Sequence, residues 1–441
     1  MLDRLPRRPI ALLAACLLPG ACFVGPSPAP SPAPSPAPSV PYLNDASFRR
    51  AELVASLVAP GNGYSQLRLA HYATGDAGDW ERLPEWNPPV DAIAASELDA
   101  PGGARSTPLS PGAAALVLPD DVTSEDDPAL VALGELAFRR YPVQLASYLH
   151  VALTSRADAA RYGVWVDDEQ GVGGLVRARM ADGSGQIAVT CATCHEAALV
   201  PGLANAQLDV GAARLASAMG AIDPAVAQAI AAWGPGRLDV TTRAGTEPVR
   251  IPDLRPVRWL SHLQADGTVA MRDRTTLAIR LETLVITSND AVLRPPRIVA
   301  LALAAYVASL ADALPSADAA ATASPAGASI FASQCASCHA PPALTGPPVP
   351  LSVVGTDPAL GESTDRGTGR YRVPSLHGVG TRGPLLHDGT VPSLDAMFDP
   401  ARVTPAFTGR LHGDGAVQGH PFGLDLDAGD RAALVAYLRA L

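Results

Sequence analysis

The sequence predicts a mainly α-helical protein with two like units in tandem, preceded by an export signal, a proline-rich tether and an N-terminal extension. Three observations carry this expectation. Cys-x-x-Cys-His occurs twice, as Cys191-Ala-Thr-Cys194-His195 and Cys335-Ala-Ser-Cys338-His339. An alanine- and leucine-rich run follows each: Tyr306 in the first matches Tyr437 in the second, as Leu303 matches Leu434, Ala305 matches Ala436 and Leu310 matches Leu441. Both runs have helical composition and apolar spacing. The first 41 residues run basic, apolar, small, then polyproline. At 441 residues and 48% hydrophobic content, the chain can build two or three packed domains. A net charge of −10 and a pI near 5.4 argue against nucleic acid as a partner, which would require a basic face. No uninterrupted apolar run reaches the roughly 18 to 20 residues of a bilayer span, which excludes a polytopic membrane protein.

Residues 1–22 read as a signal peptide. Arg4, Arg7 and Arg8 form a basic n-region, and Ile10 to Leu18 form a short apolar stretch ahead of small residues. A cysteine after small residues suggests a lipoprotein signal, in which the acylated thiol becomes the mature N-terminus. Cys22 is preferred for its longer preceding apolar segment, while Cys16 has the better local match after Leu13-Ala14-Ala15. Residues 23–41 are rich in Pro, Ala and Ser. The repeat from Pro26 to Pro41 should be an extended spacer of roughly 50 Å, at about 3.1 Å per residue. Residues 42–127 carry Trp80 and Trp86 but no motif, so they read as an extension of unassigned role.

Residues 128–315 form the first unit, 316–325 a small, polar linker, and 326–441 the second unit. Each unit reads as a helix (132–138, then 327–331), a cysteine motif, irregular loops and a closing helix. Asp427 is a good N-cap for the second closing helix, with Asp430 three residues on. The motif spacing has a chemical reason. Two thiols two residues apart can add to the two vinyl groups of one porphyrin, and the next residue's imidazole then reaches the iron. Zinc held by four thiolates would not need a histidine after both pairs, and a redox pair would not normally occur twice in this form. The expected cofactors are therefore two covalent haem c groups. Cys191 and Cys194 would attach the first and His195 ligate it; Cys335 and Cys338 would attach the second and His339 ligate it. The fold expected is two cytochrome-c-like haem domains in tandem.

The segment from Tyr371 through Val373-Pro374-Ser375-Leu376 to His387-Asp388-Gly389 and Ser393-Leu394 resembles the C-terminal signature of the bacterial dihaem cytochrome c peroxidases. The resemblance spans roughly 128–441. Its wording around His387 and Gly419-His420-Pro421-Phe422-Gly423 is closest to the rubber-oxygenase branch. It implies a distal histidine after the first motif, where this chain has Gly211, so the first haem is expected to have an open sixth position. It also implies a distal ligand on the second haem. His420, in a glycine-flanked loop, is the preferred candidate and Met397 the alternative, with His412 and His387 also considered; His387 suits a propionate or a turn better. The resemblance implies a tryptophan relay between the haems, for which Trp233 is the candidate and Trp259 the runner-up. It also implies a calcium ion held partly by backbone carbonyls near Arg382 and Pro384. His262 reads as a satisfied polar residue rather than a ligand. Arg237 and Arg382 are candidate propionate partners.

These readings point to an exported, lipid-anchored oxidoreductase of a Gram-negative periplasm or cell envelope. It would be peroxidase-like, with the first haem as the peroxide or dioxygen site and the second as electron relay. A small cytochrome or cupredoxin would supply electrons. A Glu, Gln or His is expected over the first haem to move a proton. The alternatives are an electron-transfer cytochrome without substrate chemistry and a rubber-oxygenase-like dioxygenase.

Overall fold

The computed structural model describes residues 40–75, 79–218, 220–239 and 247–441, which belong to one compact unit. Cys16, Cys22 and nearly all of the expected tether lie outside the described residues. The fold is mainly helical with few, short strands. The elements that position the site are α1 (Ala46–Ser56), α2 (Gly63–His71), β1 (Val90–Ala92), α3 (Pro128–Arg140) and β2 (Gln144–Leu145). They continue with β3 (Leu175–Arg179), β4 (Gly185–Val189), α4 (Cys191–His195), α5 (Val210–Ala218), α6 (Pro224–Ala231) and α7 (Arg274–Ser288). The last are α8 (Arg297–Ser309), α9 (Ala317–Ala323), α10 (Pro325–Gln334) and α11 (Ala428–Ala440).

Local chemistry sets the helix starts. The side chains of Asp127, Asp273 and Asp427 accept from the amides of Ala129, Thr276 and Asp430, at the starts of α3, α7 and α11. Pro128 and Pro325 open α3 and α10, where the missing N–H has no intrahelical partner to lose.

The internal repeat appears as one helix pair built twice. α3 packs on α8, and α10 packs on α11. In each pair a glycine lets the backbones approach. A Cβ on Gly134 would lie 2.0 Å from the Ala302 carbonyl oxygen, and one on Gly327 would lie 2.1 Å from that of Ala433. Four residues on, one turn along each helix, an aromatic pair closes the contact: Phe138 with Tyr306 at 5.4 Å and Phe331 with Tyr437 at 5.2 Å between centroids.

Ala317–Ala323, within the segment expected as a linker, is helical and packs on α11. The small, polar reading gave too little weight to alanine, the strongest helix former, behind a Ser316 cap. Helical residues 297–323 are long and apolar enough to cross a membrane, but 299–307 are buried against α3 and α7, as in a core helix. The extension is part of the body. Tyr42, Leu53, Leu57, Tyr72 and Trp80 share one hydrophobic core with α3, α7 and α8. A four-stranded antiparallel sheet in the order β1-β3-β4-β2 pairs Leu175 with Val189 and runs straight into the first cysteine motif.

Candidate haem-binding site

The two motifs are set by different neighbours. α4 follows β4 directly, and Thr190 Oγ1, at its start, donates to the Gly174 carbonyl at 2.8 Å. Glu196, next to His195, is fully buried against Arg139 of α3, whose Nε and Nη2 lie 3.0 and 2.8 Å from one carboxylate oxygen. This bond raises the Arg139 pKa and ties the motif to the helix pair. The second motif begins where α10 ends, with the Cys335 amide donating to the Phe331 carbonyl and that of His339 to the Cys335 carbonyl.

Both motifs line one cavity of about 490 Å³, within the range of cofactor pockets. Leu277, Leu281 and Leu284 present a helical stripe to it from α7, with Leu303 and Val307 from α8. The two motif histidines are oriented alike. His195 Nδ1 lies 3.0 Å from the Pro252 carbonyl, and His339 Nδ1 lies 3.2 and 3.1 Å from those of Leu344 and Pro374. A carbonyl can only accept, so Nδ1 carries the proton in each ring and Nε2 keeps its lone pair. Burial, opposed by those carbonyl bonds, pushes both imidazoles down to about 4, so they stay neutral as metal ligation requires. Burial raises Cys191 and Cys194 to about 12 and Cys335 to about 11. Among the described residues no three His, Cys, Asp or Glu side chains converge as a metal cluster, so the cysteine pairs do not assemble a joint site. An apolar wall, paired thiols and an imidazole with its second nitrogen pinned fit a haem at each motif.

The two ends of the cavity differ. Of its four lining histidines, only His195 comes from the first unit; His339, His387 and His420 come from the second. No α5 residue lines it, so Gly211 and its helix supply nothing there. His420 and Met397 both line it. Burial first, then His339 and Arg402, lower His420 to about 4, and its Nδ1 has no hydrogen-bond partner. One buried side chain organises the loop. Arg402 donates to the carbonyls of Met397, Val417, Gly419 and His420 at 3.2, 2.7, 3.0 and 3.1 Å. Gly419 has φ +86°, and a Cβ there would lie 2.3 Å from the Thr356 amide nitrogen.

The other candidates separate by position. His387 stacks on Tyr371 at 4.2 Å and lines the cavity. His412 lies elsewhere, in a shallow site with Pro235 and Pro384, and His262 bonds Ser261 Oγ at 3.1 Å outside the cavity wall. Trp233 is buried in the apolar cluster around α5 and α6 and does not line the cavity. Trp259 stacks on His377 at 3.9 Å, and neither ring lines the cavity. Arg382 lines the cavity and Arg237 does not. Sequence reasoning could not name Gln144, a polar side chain of β2 that lines the cavity, because only the pairing of β2 with β4 brings it beside the first motif.

No family model matches the chain, and no curated protein matches it. Among solved structures, a MauG-like protein associated with microbial copper homeostasis is similar at a TM-score of 0.32 and 18% identity, over 47% of this chain and 78% of that one.

Proposed function

We propose that the chain is an exported dihaem c-type oxidoreductase with peroxidase-like chemistry. Cys191, Cys194 and His195 would hold one haem, and Cys335, Cys338 and His339 the other. The observation that carries the reading is the pair of Cys-x-x-Cys-His motifs on one apolar cavity, each histidine bound through Nδ1 to backbone carbonyls. The C-terminal resemblance to dihaem peroxidases supports the same reading. When bound, haem c would supply one-electron chemistry and a site for peroxide or dioxygen.

The chain's own residues divide the work. His195 anchors the first site, with no second histidine of its unit on the cavity. Gln144 would orient a small oxygen ligand by hydrogen bonding, and the leucine stripe of α7 would exclude water. His420 would close the second site from its Arg402-held loop, making that site a relay. Of the two tryptophan candidates, Trp259 is better supported, because its stack on His377 joins the first unit to the second. A small cytochrome or cupredoxin would donate electrons. Acylation at Cys22 would tether the protein in a Gram-negative envelope.

Denaturing electrophoresis with haem staining tests the cofactors. The wild type should retain stain equivalent to two haems per chain, and Cys191→Ala/Cys194→Ala should retain half. Unstained wild-type protein would end the reading. A high-spin ferric signal in the oxidised protein is expected of the enzyme, whereas two low-spin signals would favour a pure electron carrier.

A further inference from the structure

Five arginines line the cavity that holds both motifs: Arg250, Arg280, Arg366, Arg372 and Arg382. Asp253 is the one carboxylate on the same wall. It is already engaged, accepting from Arg255 Nε at 3.0 Å and Nη2 at 2.6 Å. Arg366 is matched by Asp266 at 2.9 Å. Among the described residues, Arg250, Arg280, Arg372 and Arg382 form no salt bridge. Burying unpaired cations in an apolar cavity is costly, and the usual remedy is an anionic partner.

The guanidiniums are fixed in place yet keep spare donors. Arg250 Nε donates to the Leu386 carbonyl at 2.9 Å, while its Nη1 is buried without a partner. Arg382 Nη2 donates to the Ser375 carbonyl at 2.7 Å, and its Nε is buried without a partner. Arg280 Nη1 on α7 is in the same condition. Burial lowers Arg250, Arg372 and Arg382 to about 10, with like-charge neighbours contributing, so all three remain cationic at neutral pH.

The arginines also join the two units. Arg250 belongs to the first, but its amide donates to the His387 carbonyl of the second at 3.0 Å. Asp253 bears electrostatically on His195 of the first motif and on Arg382 of the second unit, which in turn bears on His339.

We infer that Arg250, Arg280, Arg372 and Arg382 form a shared anion-binding belt that takes the carboxylates of both porphyrins at the junction of the units. The inference rests on the dihaem reading. Two haems bring four propionates, and among the described residues four arginines on this wall form no salt bridge, so one cation is available to each propionate. The bidentate fork of arginine suits a carboxylate better than an ammonium group would. A belt shared by both rings couples them, because removing one cation leaves a negative charge uncompensated near both irons and favours the ferric state of each.

Spectroelectrochemical titration of the full-length holoprotein tests this. Arg250→Gln and Arg382→Gln should keep both haems by stain and lower both midpoint potentials, while Arg382→Lys should stay close to the wild type. Unchanged potentials with both haems retained would overturn the belt, as would a shift confined to one haem. The wild type provides an arm that does not depend on variant folding. Added inorganic phosphate should leave its potentials unmoved, because carboxylates on covalently held rings already fill the belt. A phosphate-dependent shift would mean an exchangeable anion and overturn the proposal. Absence of covalent haem from the wild type is a different outcome, which defeats the dihaem reading itself.

Discussion

At the scale of single residues, His420 lines the cavity together with His339. Its backbone lies in the left-handed region at φ 45°, an uncommon conformation for a side chain of this size, and the four Arg402 hydrogen bonds hold its loop. His420→Ala should turn the second haem high-spin or open it to an external ligand such as cyanide, leaving the first haem's spectrum nearly unchanged. If ferric spectra of the variant match the wild type at both haems, Met397 becomes the side chain to test, since it lines the same cavity. The cysteine motifs and their histidines were legible in the sequence because the residues of a Cys-x-x-Cys-His motif are adjacent in the chain. Arg402, Glu196 and, apart from Arg382, the arginines on the cavity wall were not. Arg139 and Glu196 are 57 positions apart, and Arg250 and Leu386 are 136 apart, so only the tertiary fold brings each pair together.

Among elements, the repeated helix pair makes a sharper claim than either helix alone. Gly134 and Gly327 occupy equivalent places, each facing the carbonyl two turns below the end of its partner's apolar run, and neither has room for a methyl group. Gly327→Ala should therefore push α10 off α11, destabilising the fold by about 1–3 kcal/mol, the usual cost of overpacking. Because α10 leads directly into Cys335, the same change should lower haem stain at the second motif while the first keeps its own. Gly134→Ala should do the reverse through α3 and the Arg139–Glu196 bond. Equal stain and an unshifted thermal midpoint in both variants would show that the backbones need not approach so closely. The repeat was visible in the sequence through the matched tyrosines and leucines, since alignment of an apolar stripe survives as pattern. The helix at 317–323 was missed because polar punctuation outweighed propensity, and the pairing that places Gln144 was missed because a two-residue strand has no periodicity to read.

For the whole molecule, the unanswered feature of the sequence was the extension, and its attachment explains why it belongs to the body. Tyr42 and Tyr72 both donate to Glu282 Oε2, at 2.9 and 2.7 Å, and Glu282 stands on α7, the helix whose leucine stripe lines the cavity. Arg297 of α8 faces the other carboxylate oxygen at 3.4 Å and reaches Glu81 of the extension at 3.0 Å, while Arg49 closes the circuit to Glu81 at 2.6 Å. The extension thus holds α7 from behind through a buried network of ion pairs and hydrogen bonds, in which the Nε of Arg49 and of Arg297 makes no hydrogen bond. Burial first, then the Glu282 charge, holds both phenols well above their ordinary value. The sign follows from linkage. In the unfolded chain these phenols ionise near pH 10, while in the folded chain they do not, so their stabilisation is complete below that pH and declines above it. The pair should steepen alkaline destabilisation by about 2.7 kcal/mol per pH unit above roughly pH 10. Tyr42→Phe/Tyr72→Phe should remove that slope, and at neutral pH each change should cost about 1–3 kcal/mol by leaving Glu282 short of a donor. Denaturant titrations at stepped pH, followed by circular dichroism, measure both effects. Phenolate absorbance appearing for these two tyrosines near pH 10 while the helical signal stays intact would show that the extension opens independently, and that α7 is not held from behind.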